Sequence, residues 1–396
     1  MDYVCPDHGD DGILDVVYDY DRIGASLRRD VAADADMWAY RSLLPIRPDS
    51  SLPPLRVGGT PLYRTPTLAA AVGLSEVWVK DEGVQPTGSL KDRASAMAIV
   101  KSAERRAGVV TTASTGNAAA ALAGLAASVG RPTVIFVPAT APEAKIAQLL
   151  AYGAKVLLVE SSYDRAVELC LRAGEKFDWY NRTTGFNPYM SEGKKTAAHE
   201  IARQLRWEPP DVVFVSVGDG CIIGSLWKGF TDLIELGWIS GLPKLIGVQA
   251  SGSNYLAEAW AKGEDVLHKP GIEAVTVADS IAAGLPRDRL KAMRAVTQSD
   301  GAFVTVSDEQ ILTAIPTLAS MTGVFPEPAA AASWAGVEVA RESGLISAKD
   351  RVVVLSTGTG LKDVPSAMRA VAAVGGRAHR IEPDLGSVAA ALEEGS

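Results

Sequence analysis

The sequence predicts an α/β protein of two domains, with parallel sheets covered by helices and a ligand cleft between the domains. Three observations carry this. The chain has 396 residues, more than one ordinary hydrophobic core accommodates, so two domains are expected. Short β-branched runs alternate with Ala/Leu-rich helical runs, the signature of repeated βα units. The strands are too apolar to keep a wet face, which calls for helices on both sides of each sheet.

The elements follow in order. Residues 1–54 are polar and irregular, from DYDRIG to PIRPDSSLPP, and read as an extension that packs on the body and ends in a linker. The stretch from Val77 opens as an apolar strand and breaks at Pro86-Thr87-Gly88-Ser89. Lys91-Asp92-Arg93 then starts an Ala-rich helix. Next, VVTTAS precedes AAAALAGLAASVG, PTVIFVPA precedes EAKIAQLLAYG, and KVLLVES precedes DRAVELCLRAGEKF. A second set begins with DVVFVSV, a glycine turn and the helix SLWKGFTDLIELG, followed by the strand KLIGVQA. SDEQILTAIPTLASMTG reads as a helix whose Ser307 and Gln310 form a capping box. GVFPEPAAAASWAGVEVARESG is a further helix, and RVVVLSTGTG a late strand ending in a glycine turn. Ligand loops are expected at the carboxyl ends of the strands.

Bulk properties exclude several classes. A net charge of −8, with no basic run, argues against a nucleic-acid partner. No apolar stretch reaches the roughly twenty residues that span a bilayer, so no membrane partner is expected. The acidic start MDYVCPDHGDDG lacks the features of a secretory signal. Three cysteines, Cys5, Cys170 and Cys221, make no disulfide framework in a chain this size, which fits a reducing cytoplasm.

Three loops carry chemistry. In PTGSLK, Lys91 sits where a loop becomes a helix, and the positive dipole end there disfavours an ammonium. The plain reading is a solvated lysine paired with Asp92. In Ser114-Thr115-Gly116-Asn117, backbone N–H groups at a helix start make a carboxylate cradle, although Ser114 and Asn117 also suit simple capping. In Gly218-Asp219-Gly220-Cys221-Ile222-Ile223-Gly224, three glycines permit close backbone approach to a phosphate. The spacing is not that of a dinucleotide fingerprint, and the next strand ends at Gln249 where a ribose-binding carboxylate is wanted. A reactive lysine, a carboxylate cradle and a single-phosphate loop together specify pyridoxal 5'-phosphate (PLP) and an amino-acid substrate. Ser356-Thr357-Gly358-Thr359-Gly360 supplies hydroxyls for the ring nitrogen.

These residues resemble the fold-type II PLP-dependent enzymes, and within them the threonine synthase group. The matches are VKDEGVQPTGSLKDRAS, ASTGNAAAALAGLAA, FNPYMSEGKKTAAHEI, SVGDGCIIG and LSTGTGLKD, in the family's order from about Pro61 to Asp363. The resemblance implies two α/β domains with the cofactor in the cleft between them: a large PLP-binding domain of 55–95 and 201–396, and a small domain of 96–200. It implies that Lys91 holds the cofactor covalently and shuttles protons. Asn117 would hydrogen-bond the ring oxygen, and the loop Gly218, Asp219, Gly220, Cys221 and Ile222 would bind the phosphate. Thr357 would face the ring nitrogen, and Ser114, Thr115, Gly116, Asn117 and Ala118 would hold the substrate. A neutral hydroxyl at that nitrogen suits elimination and replacement at Cβ or Cγ rather than transamination. A homodimer is the expected assembly.

Departures from the family pattern bear on the substrate. The family's substrate-phosphate segment reads Asn-Ser-x-Asn-Pro-Tyr-Arg; here it is Thr184-Gly185-Phe186-Asn187-Pro188-Tyr189-Met190, and the residue after Asn117 is Ala118 rather than a hydroxyl residue. Met190 cannot supply an arginine's bidentate bonds to phosphate. Arg182, Lys194 and Lys195 are candidates to compensate. Cys5 and His8 fall short of the four ligands of a zinc knuckle, so no metal is expected. Cys221 reads as a small residue that fits its turn, and His199 as a structural surface residue. Three functions stay open: threonine synthase-type chemistry on phosphohomoserine, an altered-substrate relative (cysteate synthase-type β-replacement or a threonine/serine ammonia-lyase), and a silent scaffold that binds PLP or an amino acid.

Overall fold

The architecture is taken from a computed structural model, which describes residues 3–9, 12–25, 27–30, 32, 35–114, 116–139, 141, 143–161 and 163–393. Among the described residues ten strands fall into two sheets: β1 (Leu62–Arg64), β2 (Glu76–Asp81), β3 (Val110–Ala113), β4 (Thr133–Pro138), β5 (Lys155–Val159), β6 (Tyr180–Asn181), β7 (Val212–Ser216), β8 (Lys244–Ala250), β9 (Ala302–Val306) and β10 (Arg351–Ser356). The larger sheet runs β1-β2-β10-β7-β8-β9 and the smaller β5-β4-β3-β6. Among the strand pairs of the described residues only β1–β2 is antiparallel.

Burial explains the sequence pattern. Every residue of β7, β3 and β4 is buried, because helices cover both faces of each sheet. On one face of the large sheet, Val77, Val79, Phe214 and Val354 meet the helices Asp308–Thr322 and Pro328–Glu342. On the other, Val213, Val215, Val353 and Leu355 meet Tyr189–Gln204, Cys221–Glu235 and Arg289–Gln298. In the small sheet, Val110, Ile135 and Val137 pack on Lys91–Glu104 and Asn117–Ser128, and Val134 and Phe136 on Tyr163–Lys176. β5 departs from the expectation that every strand is too apolar for a wet face: at the edge of the small sheet it is only partly buried and Leu158 is exposed. The Ser307/Gln310 capping box is present.

The expected boundaries near 95 and 200 fall inside the helices Lys91–Glu104 and Tyr189–Gln204. The second of these serves two cores, with Met190 in one and Ala197, Ile201 and Ala202 in another. The N-terminal extension does pack on the body. Tyr18 donates to Glu192 Oε2 at 2.6 Å and Tyr20 to Asp232 Oδ1 at 2.7 Å. Met37, Trp38, Tyr40 and Leu43 are buried. The supposed linker packs too, with Ile46 and Leu52 against the small-sheet core.

Three expectations are corrected. His199 is wholly buried, not on the surface, with its Nε2 3.0 Å from Asp232 Oδ2; burial lowers its pKa. Asp92 does not pair with Lys91, since its carboxylate takes the backbone N–H of Thr87 at 2.7 Å and that residue's hydroxyl. Cys221 is more than a space-filler: Lys194 Nζ donates to its Sγ at 2.8 Å.

Candidate active site

A cavity of ≈ 760 Å³ opens between the two sheets and takes residues from both. Three helix starts converge on it: Lys91–Glu104, Asn117–Ser128 and Cys221–Glu235. Each has a flanking residue that makes no side-chain cap: Leu90, Gly116 and Gly220 respectively. The first N–H groups of a helix have no intrahelical acceptor, so three positive dipole ends face one cavity. That is an environment for anions.

Lys91 is the first residue of its helix and lines the cavity. Burial, then the nearby charges of Lys194 and Arg182, pull its amine down to about 8 against an opposing pull from Cys221 and Asp219. A lysine so placed spends an appreciable fraction of its time as a neutral nucleophile at physiological pH. The loop before it is fixed by its neighbours. Leu90 N–H donates to Thr357 O at 2.9 Å, and Ser89 and Gly358 form a bridge. The lysine is thereby tied to the end of β10, where Thr357 also lines the cavity.

The phosphate-type loop follows β7. Gly220 has φ +93°, and a Cβ there would lie 2.7 Å from Ala292 Cβ. A Cβ at Gly218 would meet Ile281 Cα at 2.8 Å. Glycine is thus required twice. Asp219 points away from an anion role, since its Oδ1 accepts from the Arg287 N–H at 3.2 Å. Gly218, Asp219, Gly220, Cys221 and Ile222 all line the cavity.

In the second loop, Ser114 Oγ accepts from Gly116 N–H at 3.1 Å. Ser114 therefore shapes the loop and does not cap the helix. Gly116, Asn117 and Ala118 line the cavity with it; Thr115 lies outside the described residues. Asn117 Nδ2 donates to both carboxylate oxygens of Glu327, at 2.8 and 3.0 Å. Glu327 escaped the sequence reading, because FPEP followed by alanines looked like nothing more than a helix start. A signal was present in the glycine of TGTG: a Cβ at Gly358 would lie 2.5 Å from Glu327 Oε1.

Two expected substrate residues lie elsewhere. Met190 is buried in the small-sheet core and does not line the cavity. Asn187 also turns inward, donating from Nδ2 to the Tyr180 hydroxyl and Asn181 O, both at 2.9 Å. In their stead Arg182, Thr184, Gly185 and Arg287 line the cavity. Arg182 Nη1 donates to Thr184 Oγ1 at 3.2 Å. Gly185 has φ +78° and Arg287 packs where its side chain would stand. Lys195, a candidate to compensate for the missing arginine, is occupied by Glu192 and Asp232 at 2.8 Å each. Among the described residues no group of His, Cys, Asp and Glu is arranged to hold a metal, and no helix is long and apolar enough to cross a membrane.

Residues 54–358 match the sequence profile described as pyridoxal-phosphate dependent enzyme. The chain belongs to that family. Its relatives include threonine synthases, and it is 38% identical over 364 residues to the one from Methanocaldococcus jannaschii, covering 91% of this chain and 89% of that protein. It is 37% identical over 332 residues to that of Mycobacterium tuberculosis strain H37Rv, covering 84% and 89%. Solved structures of the same fold include threonine deaminase isoform 2 from Solanum lycopersicum (TM-score 0.67, 24% identity, 80% of this chain and 88% of that one). A fungal L-serine ammonia-lyase from Rhizomucor miehei is similar (TM-score 0.68, 22% identity, 78% and 96%). The chain is a fold-type II PLP-dependent lyase or synthase of threonine synthase type, and its cofactor is pyridoxal 5'-phosphate. The cavity fits that group. It has a depressed amine, a glycine loop feeding an uncapped helix, and a buried strand-end hydroxyl, Ser216, with no hydrogen-bond partner among the described residues.

Proposed function

We propose that this chain catalyses elimination or replacement at Cβ or Cγ of a small L-amino acid, phosphorylated or not, on a threonine synthase scaffold with an altered side-chain pocket. The observation that carries the chemistry is Lys91, its amine pulled down to about 8 at the meeting point of three uncapped helix starts. When bound, the cofactor supplies an electron sink that acidifies the Cα–H bond of an amino acid. Lys91 would hold the cofactor covalently, and its amine would take and return the substrate's Cα proton. The start of the helix Asn117–Ser128 would hold the substrate carboxylate, and the helix start at Cys221 the cofactor phosphate. Thr357 would present an uncharged hydroxyl to the ring nitrogen, and Asn117, whose amide is held by Glu327, would face the ring's oxygen.

An altered substrate is favoured by one observation. The position where the family pattern has arginine is Met190 in the core, while Arg182, Thr184 and Arg287 line the cavity. Cysteate synthase-type β-replacement and threonine or serine ammonia-lysis are the alternatives this supports; a silent scaffold is disfavoured by Lys91, Asn117 and Thr357 together at the cavity. A panel of phosphohomoserine, phosphoserine, threonine, serine and homoserine, each with and without sulfite, tests it. The expected result is slow or absent turnover of phosphohomoserine and clear turnover of another member. Rapid phosphate release with threonine formation from phosphohomoserine contradicts it and returns the chain to strict threonine synthase activity.

We further propose two units, 55–95 with 201–396 and 96–200, each built around one sheet and sharing the two helices that cross the boundaries. A homodimer in the cytoplasm completes the reading. Leu361, Met368, Leu385 and Leu392 near the C-terminus are exposed, apolar side chains of the kind that a second copy would cover. Sedimentation equilibrium at the monomer mass would overturn the dimer.

A further inference from the structure

Two adjacent lysines on the helix Tyr189–Gln204 are wholly buried, and their surroundings differ. Lys195 has two carboxylates, Glu192 and Asp232, each 2.8 Å away. Lys194 has none within ion-pair distance among the described residues; its Nζ meets only Cys221 Sγ, at 2.8 Å. Successive helical residues point about 100° apart, so one lysine faces the N-terminal extension and the other the glycine loop. A buried ammonium is costly unless an anion offsets it. One carboxyl in electrostatic reach is Asp288, whose own pKa is raised by burial despite Lys291 and Lys194. Asp288 is thus a weak counterion for it.

The missing anion has an address. Cys221 is the first residue of the uncapped helix Cys221–Glu235 and lines the cavity, so Lys194 delivers its charge to the end of the helix whose N–H groups are free for a phosphate. Its field also reaches Lys91, where it is the second cause of the depressed amine. We propose that Lys194 is the countercharge for the cofactor's phosphate. The loop supplies the hydrogen-bond geometry and this lysine the charge that a dianion requires. The inference rests on assigning the 218–224 loop to that phosphate.

The test compares PLP with pyridoxal, which lacks the phosphate. Apo-protein is titrated with each, following the visible absorbance of the cofactor joined to the protein. Lys194→Met should weaken PLP binding by about 10- to 100-fold, the scale of a charge-assisted contact, and leave pyridoxal binding unchanged. Lys194→Arg should restore most of it. Equal loss for both ligands, or no loss for either, overturns the proposal. Should the Met variant fail to fold, phosphorus NMR of the wild-type holoenzyme decides. Beside Lys194 the bound phosphate should stay dianionic well below its ordinary pKa of about 6, and titration at that ordinary value overturns the proposal. The Gly220→Ala variant separates the two layers. If it leaves the preference for PLP over pyridoxal intact, the loop assignment itself is wrong; if only Lys194→Met does, the loop stands and Lys194 has another role.

Discussion

At the residue scale, the chemistry reduces to a few side chains whose surroundings set their charge. Lys91 is the clearest. With its amine lowered to about 8, the neutral fraction rises as pH passes through that value and not near the usual 10.5. The rate at which apo-protein captures pyridoxal should therefore climb with a midpoint near pH 8, as stopped-flow absorbance would show. A midpoint above 10 would mean an ordinary solvated lysine. Stability carries the opposite side of the same linkage. Because the unfolded chain holds its Lys91 proton to higher pH than the folded one, this group makes folding more favourable as pH rises from about 8 toward 10.5. Glu327 is the residue the sequence hid. Glu327→Ala should lower cofactor affinity by about tenfold by stranding the Asn117 amide, whereas Glu327→Gln, which keeps an acceptor oxygen, should lose less. Isothermal titration of apo-protein distinguishes them. The placement of Lys91, Asn117 and Thr357 at one cavity was legible because their loops together specify one ligand, although the Lys91 and Asn117 loops taken alone also read as plain helix starts. Glu327 was not, because a carboxylate at a helix start is commonplace and its partner lies 210 positions away. Met190 was misplaced for a related reason: a motif position fixes the register along a helix, but the turn of the preceding loop decides what faces the cavity.

At the scale of elements, helix starts do the work. The strands and helices could be read from apolar runs and Ala-rich segments, since β7, β10 and their neighbours are buried on both faces. Which helix starts are left uncapped could not be read. Ser114 and Asn117 have the composition of caps, yet Ser114 bonds the loop and the helix begins at Asn117 without one. The glycine loop makes a direct prediction. Gly220→Ala places a Cβ 2.7 Å from Ala292 Cβ at a φ of +93°, so it should cost about 1 kcal/mol or more in stability together with a loss of PLP affinity. A melting temperature and cofactor affinity equal to wild type would show that the loop relaxes freely. Far from the site, Ser307→Ala removes half of the capping box and should cost about 1 kcal/mol with no change in cofactor affinity, a control for stability effects.

At the scale of the whole molecule, a buried ionic network fastens the reactive lysine's helix to the body. Arg93, two residues after Lys91, reaches Glu82 and Glu200 at 2.7 Å each, and Lys80 joins Glu200 at 2.7 Å. All four side chains are fully buried. Removing one partner strands the others, so Arg93→Ala should cost about 3–5 kcal/mol, measurable by urea unfolding. A second network lies behind the glycine loop. Burial would raise the Asp232 carboxyl, but Lys195 and His199 outweigh it and hold it at about 2. A depressed carboxyl contributes stability that is complete above its ordinary value near 4 and is lost as pH falls toward 2; acid unfolding should steepen in that window and shift in Asp232→Asn. Neither network was visible in sequence, because their charges come from segments up to 120 positions apart, and buried charge looks the same as solvated charge in a string of letters. The central claim is that this cavity is built around Lys91. Reducing the holoenzyme with borohydride, digesting it and mapping the modified lysine by mass spectrometry tests that most directly. The cofactor-derived mass is expected on Lys91 and absent from Lys91→Ala; the mass on any other lysine, or its persistence in that variant, would place the reactive amine elsewhere.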